Sequence, residues 1–266
     1  MSSAFLARSG LDDTLVNHFR LAAQLGHEMV CLPVLERPEQ NASMGYRYFL
    51  PQELNRDLRD RTRLLVAVID GPFQRMVNQR GLMPVLMDWV EDKESMMAAY
   101  AVEEQIALEL IDHCLGRGFD AIILADDLAG EKAPLINPLE LDAACTPFYS
   151  RAVPLIRDAG MLVLLHCCGN LGQLVPLIKS WNFDGLAAIQ IGKNDLDLLD
   201  REIGGLFIAG IEAPLLETDS PQQMEIESLK NFVARFSNQG RLILASSCGL
   251  YSSAFWERLQ GIYKRV

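Results

Sequence analysis

The chain has no excess of positive charge. Its 24 Lys and Arg face 35 Asp and Glu, a formal net charge of −11, which argues against nucleic acid or an anionic membrane surface as a partner. It also lacks a long hydrophobic run. The apolar stretches, Met161 to Leu165 among them, are far too short to span a bilayer. Met1 to Gly10 shows no basic segment followed by a long apolar one, so no secretory signal is expected and a cytoplasmic location follows. Without a route to an oxidising compartment, the six cysteines read as thiols or ligands rather than disulfides. No low-complexity tract, internal repeat or linker divides the sequence. A single unit over residues 1–266 is expected, with 1–63 as an irregular N-terminal cap region.

Short β-type runs alternate with longer helical ones. Candidate strands are Met29–Pro33, Leu64–Ile69, Ala121–Ala125, Leu162–His166, Gly185–Ile189, Gly205–Ala209 and Leu242–Ala245. Most are nearly continuous apolar runs, as parallel strands covered on both faces must be. The clearest helical pattern runs from Glu91 to Gly116, with Met97, Val102, Ile106, Leu110 and Leu115 on an apolar stripe. Others cover Pro138–Ala159, Leu171–Trp181, Asp195–Ile203 and Pro221–Asn238. Alternating strand and helix units imply parallel βαβ crossovers, and the count fits an α/β fold of the (β/α)8 TIM-barrel type, although an eighth strand is not evident. Glu36 to Gln52 is rich in Pro, Asn, Gly and Tyr and reads as a long loop over one barrel face.

In such a barrel the active site lies at the C-terminal ends of the strands. Those ends supply Asp70, Asp126 and Asp127, then His166 and Cys168, then Gln190, Glu212 and Cys248. Side chains alternate along a strand, so His166 and Cys168 point one way and Cys167 the other. One imidazole and two thiols, with a fourth position open, describe a catalytic zinc site: His166, Cys168 and Cys248. Zinc there would activate a thiol or act as a Lewis acid on an oxygen. Glu212 or one of the aspartates would complete the shell or carry a proton. The bland alternative is that these are a buried thiol and a hydrogen-bonded histidine, both common in cores.

The runs Ala125-Asp126-Asp127-Leu128-Ala129, Leu135-Ile136-Asn137-Pro138 and Leu165-His166-Cys167-Cys168-Gly169-Asn170 resemble the uroporphyrinogen decarboxylase superfamily. Asp70-Gly71-Pro72-Phe73 resembles its Gly-x-Pro-Phe turn, with Asp70 where glycine is usual. The His-x-Cys motif and the distant Cys248-Gly249 are similar to the zinc-dependent, corrinoid-linked methyltransferase branch. The resemblance implies a barrel shortened at the N-terminus, zinc held by His166, Cys168 and Cys248, and a cobamide carried by a partner corrinoid protein. It implies methyl transfer between that corrinoid (cobalamin) protein and a small thiol or a methylated or methoxylated substrate. The chain lacks the arginine-rich N-terminal motif with which the true decarboxylases clamp substrate carboxylates. A carboxy-lyase acting on a tetrapyrrole is therefore the alternative, and a non-catalytic corrinoid- or tetrapyrrole-binding protein a third. Asp126 or Asp127 is expected to touch substrate, with Glu212 as a further catalytic candidate.

Other residues have simpler expectations. Cys167 should pack in the wall, and Cys31, Cys114 and Cys145 should be core thiols. His113 lies in the long helix, and His18 and His27 flank an early one; surface or packing roles are expected for all three. Met83, Met87, Met96 and Met97 should fill core gaps. Tyr46-Arg47-Tyr48-Phe49 is the candidate substrate lid.

Overall fold

The computed structural model describes residues 6, 10–36, 48–54, 63–217, 223–246 and 253–266. All seven expected strands form: Met29–Pro33 (β1), Leu64–Asp70 (β2), Ala121–Ala125 (β3), Leu162–His166 (β4), Gly185–Ile189 (β5), Leu206–Ile211 (β6) and Leu242–Ser246 (β7). They pair in chain order and always in parallel. The sheet curls into a TIM-like half-barrel with helices on its outside. Among the described residues no eighth strand joins β1 to β7, which are the two edges of the sheet. Within the first 63 residues, expected to be an irregular cap, Leu15–Gln24 (α1) is helical and β1 is a full member of the sheet.

Alternation of side chains sorts the strands into two faces. Val66, Ala121, Ile123, Leu164, Ala187 and Ile208 form the inner layer. Ala67, Ile122, Leu124, Val163, Leu165 and Phe207 face the helices in the main core. Cys31 was expected in the core; it packs against the inner layer and is only half-buried. It lies on edge strand β1, beside a cavity of about 590 Å³ lined by residues of both edge strands. Cys114 and Cys145 are buried as expected.

Pro72–Arg80 (α2) begins with proline at its first turn, where its missing N–H costs nothing. Leu82–Glu91 (α3) and Lys93–Cys114 (α4) follow. α4 is capped by Asp92, whose carboxylate accepts the Ser95 N–H at 3.2 Å. It buries Met96, Tyr100, Glu103, Ala107, Leu110 and Cys114; of the expected stripe Leu110 is buried and Met97, Ile106 and Leu115 pack against the core, while Val102 is 58% exposed. Glu103 lies on the buried face paired with Arg75, whose Nε donates to it at 2.8 Å. Arg75 also donates to both carboxylate oxygens of Glu36, at 3.1 and 2.7 Å, so a buried charge is fully paired. The methionine expectation fails in part. Met96 is buried and Met97 packs against the core, but Met83 and Met87 are exposed. α3 buries Val85 and Trp89, one turn apart, which leaves Met83 and Met87 on the opposite side.

The remaining helices are Pro138–Asp158 (α5), Val175–Trp181 (α6), Leu196–Glu202 (α7), Ala213–Glu217 (α8), Gln223–Ser237 (α9) and Ser253–Tyr263 (α10). A 3-10 turn over Gly172–Leu174 takes the start of the helix expected from Leu171. Among the described residues no helix is long and apolar enough to cross a membrane.

Candidate metal centre

The parity of β3 and β4 decides which strand-end groups meet. Leu164 faces the inner layer and Leu165 the outer core, so His166 and Cys168 fall on the inner side and Cys167 on the outer. Cys167 is buried in the main core as expected, and its sulfur accepts the Leu128 N–H at 3.2 Å. The same counting on β3 places Ala121 and Ile123 inside, hence Asp127 inside and Asp126 outside.

Asp127, His166 and Cys168 accordingly form a cluster whose candidate ligand atoms all lie within 4.8 Å of one another. Cys168 Sγ is 3.6 Å from His166 Nε2, and that nitrogen is 3.8 Å from Asp127 Oδ1. Asp127 Oδ1 also accepts the backbone N–H of Cys168 at 2.7 Å. Burial holds the His166 imidazole below its usual pKa, against the opposing pull of Asp127. Burial, and after it the Asp127 carboxylate, pushes the Cys168 thiol up to about 12, with Lys193 pulling the other way. A neutral imidazole is the ligating form, and a divalent cation would turn the thiol into thiolate. Imidazole, thiol and carboxylate within one ion's reach suit zinc.

Neither Asp126 nor Glu212 joins this cluster. Asp126 is completely buried. Its Oδ1 accepts the Gln74 N–H at 2.7 Å and its Oδ2 the Tyr149 hydroxyl at 2.8 Å. Burial pushes its carboxyl up to about 7, against those two hydrogen bonds. A Cβ on Gly71 would fall 2.1 Å from Asp126 Oδ2, so glycine at this turn makes room for the carboxylate. Asp126 thus joins β3 to the first turn of α2 and to α5. Glu212 accepts the Gly192 N–H at 3.0 Å, at the end of β6. Cys248 lies outside the described residues, as do Tyr46 and Arg47 of the candidate lid. Tyr48 donates to Asp70 at 3.3 Å, and Phe49 is buried edge-on against His18. His18 sits inside α1 rather than beside it and bonds Asp13 at 2.8 Å. His27 stacks edge-on with Trp256, and His113 is exposed.

Two features escape a reading of residue types. Asp127 is separated from Asp126 only by the in–out parity of β3, a signal present in the sequence once the strand is placed. Asn194, which binds the Cys168 loop from the next strand connection, carries no motif.

A parallel α/β half-barrel with a polar cluster at the C-terminal ends of its strands has the layout of a TIM-type enzyme. The model of the family described as Uroporphyrinogen decarboxylase (URO-D) matches residues 30–264, and the chain belongs to that family. Among solved structures, a methyltransferase from Methanosarcina mazei is similar with a TM-score of 0.68 at 14% identity, covering 93% of this chain and 83% of that one. The IOLI protein, solved with a binding zinc atom, is similar with a TM-score of 0.53 at 12% identity, covering 95% of this chain and 91% of that one. At these identities the likeness is one of fold. No curated protein matches the sequence.

Proposed function

We propose that the chain is a zinc-dependent methyltransferase, moving a methyl group between a corrinoid carried by a partner protein and a small thiol or a methylated or methoxylated substrate. The Asp127–His166–Cys168 cluster carries the reading, because it sets a thiol, an imidazole and a carboxylate on the inner face of a family barrel where substrates bind. Membership of the family and the shared fold of the Methanosarcina mazei methyltransferase support it. His166 and Cys168 would hold the ion, with Cys248 as the third sequence-derived ligand and Asp127 beside them. Zinc, when bound, lowers the pKa of a thiol and polarises an oxygen.

The protein's own groups do the rest. Asp127 holds the Cys168 backbone through its N–H and faces the inner space, where it can accept a proton from an arriving thiol. Depressed basicity keeps His166 neutral. Arg75 follows β2 but is 2% exposed and paired with Glu36 and Glu103, so it offers no partner to a substrate carboxylate. That pairing weighs against decarboxylation of a polyacidic tetrapyrrole.

The test is metal content and methyl transfer from methylcobamide to a thiol, measured on wild type, His166→Ala and Cys248→Ala. One zinc per chain in wild type, lost together with transfer in the variants, supports the proposal. A zinc-free wild type, or variants with unchanged metal and activity, overturns it.

A further inference from the structure

We infer that Gln190 and Asn194 are positioning residues that clamp the Cys168 loop, and that a bulge at Ala188 exists to aim Gln190. The inference rests on the metal-centre reading above and concerns groups outside the cluster itself.

The bulge is visible in the β5–β6 register. Ala187 pairs with Ile208 and Ile189 with Ala209, so two residues of β5 span one step of β6. Ala188 takes φ 59°, a left-handed conformation that a non-glycine residue seldom adopts in a strand. The extra residue reverses the parity of everything after it. Leu186 faces the outer core and Ala187 the inner layer, yet Ile189 faces the outer core again. Strict alternation would have turned Ile189 inward and Gln190 outward. With the bulge, Gln190 comes round to the side of His166 and Cys168.

There Gln190 Oε1 accepts the Gly169 N–H at 2.8 Å. Asn194 works from the same connection. Its Oδ1 accepts the Leu171 N–H at 2.8 Å, while its Nδ2 donates to Gly169 O at 3.0 Å and Gln190 O at 2.9 Å. In return Asn170 donates to Lys193 O at 2.8 Å. On the other side, Gly169 lies so close to the β3–α5 loop that a Cβ would meet Gly130 O at 2.4 Å. The residues directly after Cys168 are therefore held from both neighbouring strands. The Gly169 and Leu171 N–H groups are satisfied by side chains rather than by a helix or sheet ladder, and the Asn170 N–H by Gly130 O at 2.9 Å. A strained bulge that aims one such side chain is the kind of local cost that functional sites carry.

The experiment compares full-length wild type, Gln190→Ala, Asn194→Ala and Gln190→Glu, with thermal unfolding as the folding control. Amide hydrogen exchange at Gly169 and Leu171 is measured on metal-free protein, and zinc affinity by competition with a chromophoric chelator. The expected result is faster exchange at both amides in the alanine variants and zinc binding weakened about 10- to 100-fold. An altered cobalt(II) visible spectrum should accompany it. Gln190→Glu, which keeps the acceptor, should restore the wild-type exchange pattern. Unchanged exchange in the alanine variants overturns the clamp; faster exchange with unchanged zinc affinity overturns its role in positioning the ligand. Faster exchange in a protein whose wild type binds no zinc overturns the metal-centre reading while leaving the clamp in place.

Discussion

Asp127 Oδ1 accepts the backbone N–H of Cys168 at 2.7 Å while lying 3.8 Å from His166 Nε2. One carboxylate thus fixes the backbone of one candidate ligand and sits beside the ring of the other. Asp127→Ala should remove both effects and weaken zinc binding by roughly 10- to 100-fold, the usual cost of losing a partner next to a metal site. Asp127→Asn keeps an acceptor for the N–H and should lose less. Chelator competition separates the two; equal affinity in all three proteins would count against Asp127.

The neighbouring aspartate should behave in the opposite way. Asp126→Ala leaves the Gln74 N–H and the Tyr149 hydroxyl without their acceptor in a fully buried place. Losing two buried partners costs roughly 2–5 kcal/mol, so the urea midpoint should fall sharply. Asp126→Asn, the same size, should retain most of the stability. A midpoint for Asp126→Ala within error of wild type would refute the bracing role.

Asp70 makes stability depend on pH. Burial, against hydrogen bonds from Tyr48 and Asn78, lifts its carboxyl from 3.8 to about 6. Between those values the folded chain holds more protons than the unfolded one, so stability present at low pH is lost as pH rises through about 6. A two-unit shift corresponds to about 3 kcal/mol. Asp70→Asn cannot titrate, so its stability relative to wild type should grow by up to that amount from about pH 4 to about pH 7. Parallel pH profiles for the two proteins would show that the burial of Asp70 has no such effect.

Ala188 at φ 59° carries the strain of a left-handed alanine, about 1–2 kcal/mol. Ala188→Gly should relieve it and raise the midpoint of unfolding slightly, with zinc affinity kept. Ala188→Val should lower both, because a β-branched residue resists positive φ. A valine variant as stable as wild type would show that the bulge relaxes freely.

The strands were legible in the sequence because parallel strands covered on both faces must be continuously apolar, and Leu162–His166 and Ala121–Ala125 are. The pairing of His166 with Cys168 followed from alternation alone. Asp126 and Asp127 could not be told apart by residue type; the parity of β3 separates them, and burial shows Asp126 braced. The α4 stripe was legible except at Val102, but a charged residue on the buried face, Glu103, was not, because its partner Arg75 comes from a different helix. Met83 and Met87 were read as core because their side chains are apolar; the face of α3 that turns inward is set by Val85 and Trp89. The Ala188 bulge had no signal, because alanine carries none of the conformational freedom that marks glycine.

That bulge bears on how relatives should be compared with this chain. A single inserted residue exchanges wall and lumen for every later position of its strand. Two homologues that differ by such an insertion would therefore place different side chains at the same aligned column beyond it. Position 190 should be matched between family members by the direction its side chain faces, and a gap of one placed in the strand wherever that direction demands it.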